Sequence, residues 1–135
     1  MEIPRGNDRE DIKARRQIIK DFYANWIAQH PDKKVWNKSL NAYIHIKFQS
    51  INEALGHAPK SAEATIAQMH LTEALSDAIF AKEKPPKHAN QNQKRFSKIL
   101  LLRWNACRLL VGVRKSTGDY ELYYLSGGQK NKAVR

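Results

Sequence analysis

The sequence predicts an α+β fold: an antiparallel sheet of about four to five strands, with two long helices and one short helix packed on one face. Three observations predict it. Residues 8–30 and 61–77 repeat apolar residues at helical spacing, residues 41–48 alternate strictly, and residues 96–125 read as a three-stranded meander. The 135 residues match the length of one ordinary domain. We expect one domain over 1–135: an N-terminal helix within 1–30, an α+β body over 41–126, and a flexible tail at 127–135.

Each element has a local reason. Asn7 is placed to cap the first helix, with Glu10 three residues on and Asp8 and Asp11 in the first turn, where the helix dipole favours negative charge. Ile12, Ile19, Phe22, Tyr23 and Trp26 form its apolar stripe; Arg9, Lys13, Arg16 and Lys20 form a cationic stripe beside it. His30-Pro31 ends the helix, because the residue before proline is pushed out of helical geometry. Residues 31–40 read as a polar loop anchored by Trp36. In NAYIHIKF, Ala42, Ile44, Ile46 and Phe48 face one way and Tyr43, His45 and Lys47 the other, as in a strand with one buried face. Ser50 and Glu53 have the capping-box spacing for a short helix that Gly56 would stop.

Ser61 then caps the second long helix. Its broad apolar side, with Ile66, Met69, Leu71, Ala74, Leu75 and Ala78, suits a position across a sheet. Residues 78–82 read as a short strand and 82–94, with Pro85-Pro86, as a loop. The closing strands are expected at 96–104, 107–114 and 120–125.

The register of the meander follows from keeping apolar residues together. Pairing Trp104 with Cys107 across Asn105-Ala106 sets Leu102 opposite Leu109 and Leu100 opposite Val111. A four-residue loop over Ser116–Asp119, with Gly118 suited to positive φ, sets Val113 opposite Leu122, Val111 opposite Tyr124 and Arg114 opposite Glu121. One face then holds Cys107, Leu109, Val111, Val113, Leu100, Leu102, Leu122 and Tyr124. The other holds Ser97, Arg103, Arg108, Arg114, Glu121 and Tyr123, with Ile99, Leu101, Leu110 and Leu125 among them.

That second face is the candidate site. Arg103 would stand directly across from Arg108, and like charges opposed on a sheet are destabilising unless an anion sits between them. Arginine suits phosphate because its planar fork donates two bonds at once. Tyr123 offers a ring on which a base stacks, Gly112 leaves a shallow floor, and Lys115 follows Arg114. The wider charge agrees: lysine and arginine number 24 against 13 acidic residues, a formal net charge of +11. After Gln93 there are ten basic and two acidic residues, so the excess gathers in the last third. A nucleic acid is the first anionic partner to expect and RNA comes ahead of DNA; Arg16 and Lys20 would extend the surface.

Other chemistries are excluded by what the residues lack. The longest apolar runs, such as Ile99–Leu102, are far short of a membrane span, and the first residues lack the apolar stretch of a secretory signal. One cysteine, Cys107, forms no internal disulfide and no cysteine-based zinc site; a cytoplasmic setting is expected. His30, His45, His57, His70 and His88 include no pair at metal-binding helical spacing, so no metal or other cofactor is expected. No phosphate-loop motif precedes a helix, no G-x-S-x-G elbow is present, and Cys107 falls on the buried face. His45 and His57 are the candidate acid–base histidines.

AYIHIKFQSINEALGHA at 42–58, the helix at 61–77 and LLVGVRKSTGDYELYYL at 109–125 together carry a resemblance. Over roughly the last 95 residues their order resembles the barnase/EndoU/colicin/RelE-like nuclease fold, with closest likeness to the domains attached to large polyvalent proteins of bacterial phages and conjugative elements. The resemblance implies helices on one face of an antiparallel sheet, RNA on the other, and metal-independent cleavage. Residue by residue it would give Glu121 or His57 the acid–base work and Arg108 the phosphate. The alternative is a non-enzymatic module of a mobile element that binds nucleic acid or a protein partner.

Overall fold

Apolar patterning in the last third builds the centre of the molecule. The computed structural model describes residues 2–87 and 90–127. Among these residues the helices are α1 (Arg9–Gln29), α2 (Phe48–His57), α3 (Ala62–Gln68) and α4 (Leu71–Asp77). The strands are β1 (Lys34–Asn37), β2 (Ala42–His45), β3 (Ile79–Lys84), β4 (Phe96–Trp104), β5 (Cys107–Arg114) and β6 (Tyr120–Ser126). They form one sheet in the order β1-β2-β6-β5-β4-β3. The α+β class holds, but the sheet has six strands and is mixed. β2 runs parallel to β6, because the chain crosses back through α2–α4 before rejoining the sheet; every other neighbour pair is antiparallel.

The β4–β5 hairpin has the expected register. Trp104 pairs with Cys107, Leu102 with Leu109, Leu100 with Val111 and Arg103 with Arg108. Asn105 in the turn takes a positive φ of 53°, which asparagine tolerates. The β5–β6 hairpin differs. Val113 pairs with Tyr120 and Gly112 with Glu121, and Arg114 N–H donates to Asp119 O across a loop closed by Gly118 at φ 79°. A shift of two residues keeps each side chain on its face, so Leu122 remains in the core. A bulge then intervenes: Val111 pairs with Leu122 but Leu110 pairs with Tyr124. The extra residue turns Tyr124 out of the core and brings Leu125 in, opposite Leu109.

All four helices pack on one face of the sheet. The main core joins Ile19, Tyr23 and Trp26 of α1 to Leu71 and Leu75 of α4 and to Leu102, Leu109, Val111, Leu122 and Leu125 of the sheet. α1 is capped by Asp8, whose carboxylate accepts from Asp11 N–H at 2.9 Å, so the cap lies one residue past Asn7. The helix stops before Pro31 as expected, with His30 N–H donating to Trp26 O.

Three expectations give way to tertiary contacts. Residues 34–37, expected in a loop, are an edge strand; Trp36 pairs with Tyr43 and meets its ring edge-on at 5.1 Å. The strand expected at 41–48 ends at His45, because Ser50 Oγ accepts from Lys47 N–H and opens α2 there; Gly56 lies inside that helix. The helix expected over 61–77 has Ser61 as its cap but breaks at Met69-His70. The break lets α4 turn onto β1, where the Asn37 amide donates to the carbonyls of Leu75 and Ala78. The expected tail lies outside the described residues beyond Gly127, as does His88. Among the described residues no helix is long and apolar enough to cross a membrane.

Candidate nucleic-acid interface

The face of the sheet away from the helices has two ends of different character. At the β4–β5 turn, Arg103 and Arg108 are direct cross-strand partners. Both side chains are exposed, and neither has a carboxylate partner among the described residues. Partners in this register have Cα atoms about 4.5–5.5 Å apart. Ile79 and Ser126 flank them on the neighbouring strands, so nothing acidic stands in that row. α1 packs against α2, α3 and the 3-10 turn at Ala58–Lys60, on the opposite side, and leaves this end open.

At the other end the arginines share a buried anion. Glu121 is fully buried. Its Oε1 accepts from Arg114 Nε at 2.9 Å, and its Oε2 accepts from Arg95 Nε at 3.2 Å and Nη2 at 2.5 Å. The expected Arg114–Glu121 pair exists, reached from a different register, and Arg95 is a second partner. Two guanidinium groups thus occupy both oxygens of one buried carboxylate. Tyr123 is also buried, at 7% exposure, in a small cluster with Phe96 and Ile99; its hydroxyl accepts from the Asn90 amide at 3.3 Å. No face of that ring is open to a base. The floor expected at Gly112 is occupied by the Phe96 ring, into which a Cβ on Gly112 would collide.

A third group lies where α2 meets β6. Glu53 is 8% exposed and accepts from the Asn92 amide at 2.9 Å and the Gln49 amide at 3.4 Å. Its other oxygen lies 3.3 Å from Nε2 of His57, whose side chain is half exposed. The Tyr124 ring lies 5.4 Å from the His57 ring. Burial, and next the Glu53 charge, push the Tyr124 hydroxyl up to about 12. A carboxylate held by amides behind an accessible imidazole orients it and suits it to proton transfer. Asn92 links this group to the last, since its carbonyl accepts from Arg95 Nη1.

The expected site residues therefore divide. Arg103 and Arg108 stand together in the open. Arg114 and Glu121 are locked to each other, Tyr123 is covered, and Lys115 is exposed in the β5–β6 loop. His57 sits apart, with Glu53. Lys20 is exposed and Arg16 half-buried, donating to Leu55 O at 3.4 Å, both on the helical side and separate from the Arg103–Arg108 row. Three residues escaped the sequence reading. Arg95 adjoins Phe96, which pairs with Arg114, and Glu53 stands one helical turn before His57; both were legible as spacings.

Arg15 was not legible. It is fully buried, with its guanidinium donating to the carbonyls of Pro4, Gly6 and Pro59. It ties the N-terminal segment to the 3-10 turn. Among the described residues no group of three or more histidine, cysteine or acidic side chains stands close enough to hold a metal ion.

No curated protein and no solved structure was found to match this chain. A family model does match, over residues 11–123, which takes in every strand of the sheet but the last residues of β6. The chain belongs to the family of large polyvalent protein-associated domain 3.

Proposed function

We propose that this domain binds a nucleic acid, RNA ahead of DNA, on the side of the sheet away from the helices. One observation carries the reading. Arg103 and Arg108 oppose each other across a strand pair with no carboxylate partner among the described residues. Two adjacent guanidinium groups repel in the free protein, and a phosphate relieves the repulsion while accepting from both. The net charge of +11 attracts a polyanion to that surface.

A nuclease kinship and metal-independent cleavage are the finer form of this proposal. Glu121, held between two arginines, is unsuited to the base role. His57 backed by Glu53 is the group we assign to proton transfer if cutting accompanies binding.

Retardation of a labelled RNA by the full chain, with and without chelator, tests both levels. Retardation that weakens in Arg108→Ala supports binding, and cut products lost in His57→Ala support catalysis. No retardation at low salt would remove the nucleic-acid reading. A protein-binding module is the second reading, favoured by the exposed aromatic residues Trp36, Tyr43, Phe48 and Phe80.

A further inference from the structure

Arg103 and Arg108 lie at one end of the β4–β5 hairpin, and a separate cationic pocket lies at the other. A cavity of about 350 Å³ opens between the loop before β4 and the β5–β6 hairpin. Pro86, Lys87 and Lys94 of the loop, Phe96 and Ser97 of β4 and Lys115 of the hairpin line it. Lys115 N–H donates to Arg95 O at 3.0 Å, so the loop and the hairpin are joined. No carboxylate pairs with Lys87, Lys94 or Lys115 among the described residues. Behind the pocket Arg95 and Arg114 share the single charge of Glu121, which leaves one further positive charge uncompensated. Arg95 also stacks over the Phe96 ring, at 4.2 Å, which fixes that charge in place.

We infer that this pocket binds a phosphomonoester nucleotide, and that its usual source is the phosphate-bearing end of the RNA strand held at Arg103 and Arg108. The strand part of the inference rests on the nucleic-acid proposal above. Three lysines lining one cavity suit a group carrying about −1.5 to −2 charges, as a monoester does, better than a diester with a single charge. The volume is that of a small-ligand pocket, and Pro86 gives it an apolar surface for a base. At about 350 Å³ the pocket has room for about one nucleotide and not for a longer run of strand, so it receives a terminus. From Arg108 to Lys115 the chain rises about 3.3 Å per residue, a span of about 23 Å. That is roughly seven nucleotides at the 3.4 Å spacing of a stacked strand.

The test titrates the full chain with an RNA of about ten nucleotides carrying a 5′ phosphate, a 3′ phosphate or neither, and with adenosine monophosphate alone. One phosphorylated end is expected to bind about tenfold tighter than the unmodified strand. The preference should disappear in Lys87→Ala/Lys94→Ala, and persist in Arg103→Ala/Arg108→Ala while overall affinity falls. Adenosine monophosphate binding as tightly as the phosphorylated strand would identify the free nucleotide as the source; much weaker binding identifies the strand end. Equal affinities for all three RNAs without mononucleotide binding, or a preference that survives loss of both lysines, overturns the inference. If no RNA binds, the nucleic-acid proposal falls alone: lysine-dependent mononucleotide binding would still uphold the pocket, and its absence would remove it.

Discussion

The two ends of the sheet's open face carry the same residue type in opposite electrostatic states. Arg103 and Arg108 oppose each other in solvent with no counter-charge among the described residues. Arg95 and Arg114 converge on Glu121, which has no exposed surface. An arginine in an outward strand position is thus not by itself a binding residue. The decisive feature is whether the fold already supplies its anion. Where it does, the arginine is structural, and where it does not, an external anion completes the arrangement.

The largest effect should come from breaking the compensated end. Glu121→Ala leaves two partly buried guanidinium groups without their anion, and removing one partner of such a buried pair costs about 3–5 kcal/mol. Denaturant unfolding should show a correspondingly lower midpoint. A variant that loses RNA binding while keeping wild-type stability would instead mark Glu121 as functional. Gly112→Ala should be next: its methyl group would enter the space of the Phe96 ring, and overpacking costs about 1–3 kcal/mol. Thermal melting checks this, and an unchanged melting temperature would mean that Phe96 moves aside freely.

Alkaline pH sharpens the contrast from the other edge of the site. Burial raises Tyr124 to about 12, against an ordinary value of 10.0, and burial also raises Tyr23. Both raised hydroxyls favour the neutral form in the folded chain. Their stabilisation is therefore fully present below pH 10 and is lost as pH climbs through the folded values. Circular dichroism should show unfolding free energy falling from about pH 10 to 12, less steeply in Tyr124→Phe. The smallest effect on stability belongs to the open end. Arg103→Ala and Arg108→Ala should each change unfolding free energy by no more than about 0.5 kcal/mol. A loss of several kcal/mol would show that these arginines hold the fold together.

How far the sequence carried depended on how local the cause was. The β4–β5 register was legible because one strong constraint, keeping Leu100, Leu102, Leu109 and Val111 together, admits a single two-residue turn. The opposition of Arg103 and Arg108 came with it. The bulge at Tyr123 was not legible, since period-two alternation has no means of marking an inserted residue; it moved Tyr124 and Leu125 between faces. β1 was hidden because KVWN is short and half-buried at an edge, and its identity as a strand depends on Tyr43 and Ile44 across the turn. The break at Met69-His70 likewise answers to Asn37, some thirty residues away. Arg15 reads as part of a polar helix surface in the sequence, and only the carbonyls of Pro4, Gly6 and Pro59 make it core. Within the site, the exposed pair was legible, whereas the cover over Tyr123 required the loop that Asn90 and Asn92 fasten down.

The most direct test of the open end is the salt dependence of RNA binding. Affinity should be measured across a series of salt concentrations for the wild-type chain and for Arg103→Ala/Arg108→Ala. The account predicts that the logarithm of the binding constant falls linearly with the logarithm of salt, and that the double variant loses about 1.4 from that slope, roughly 0.7 for each phosphate contact removed on a single strand. Two superimposable lines, or no binding by the wild-type chain even at the lowest salt, would contradict it.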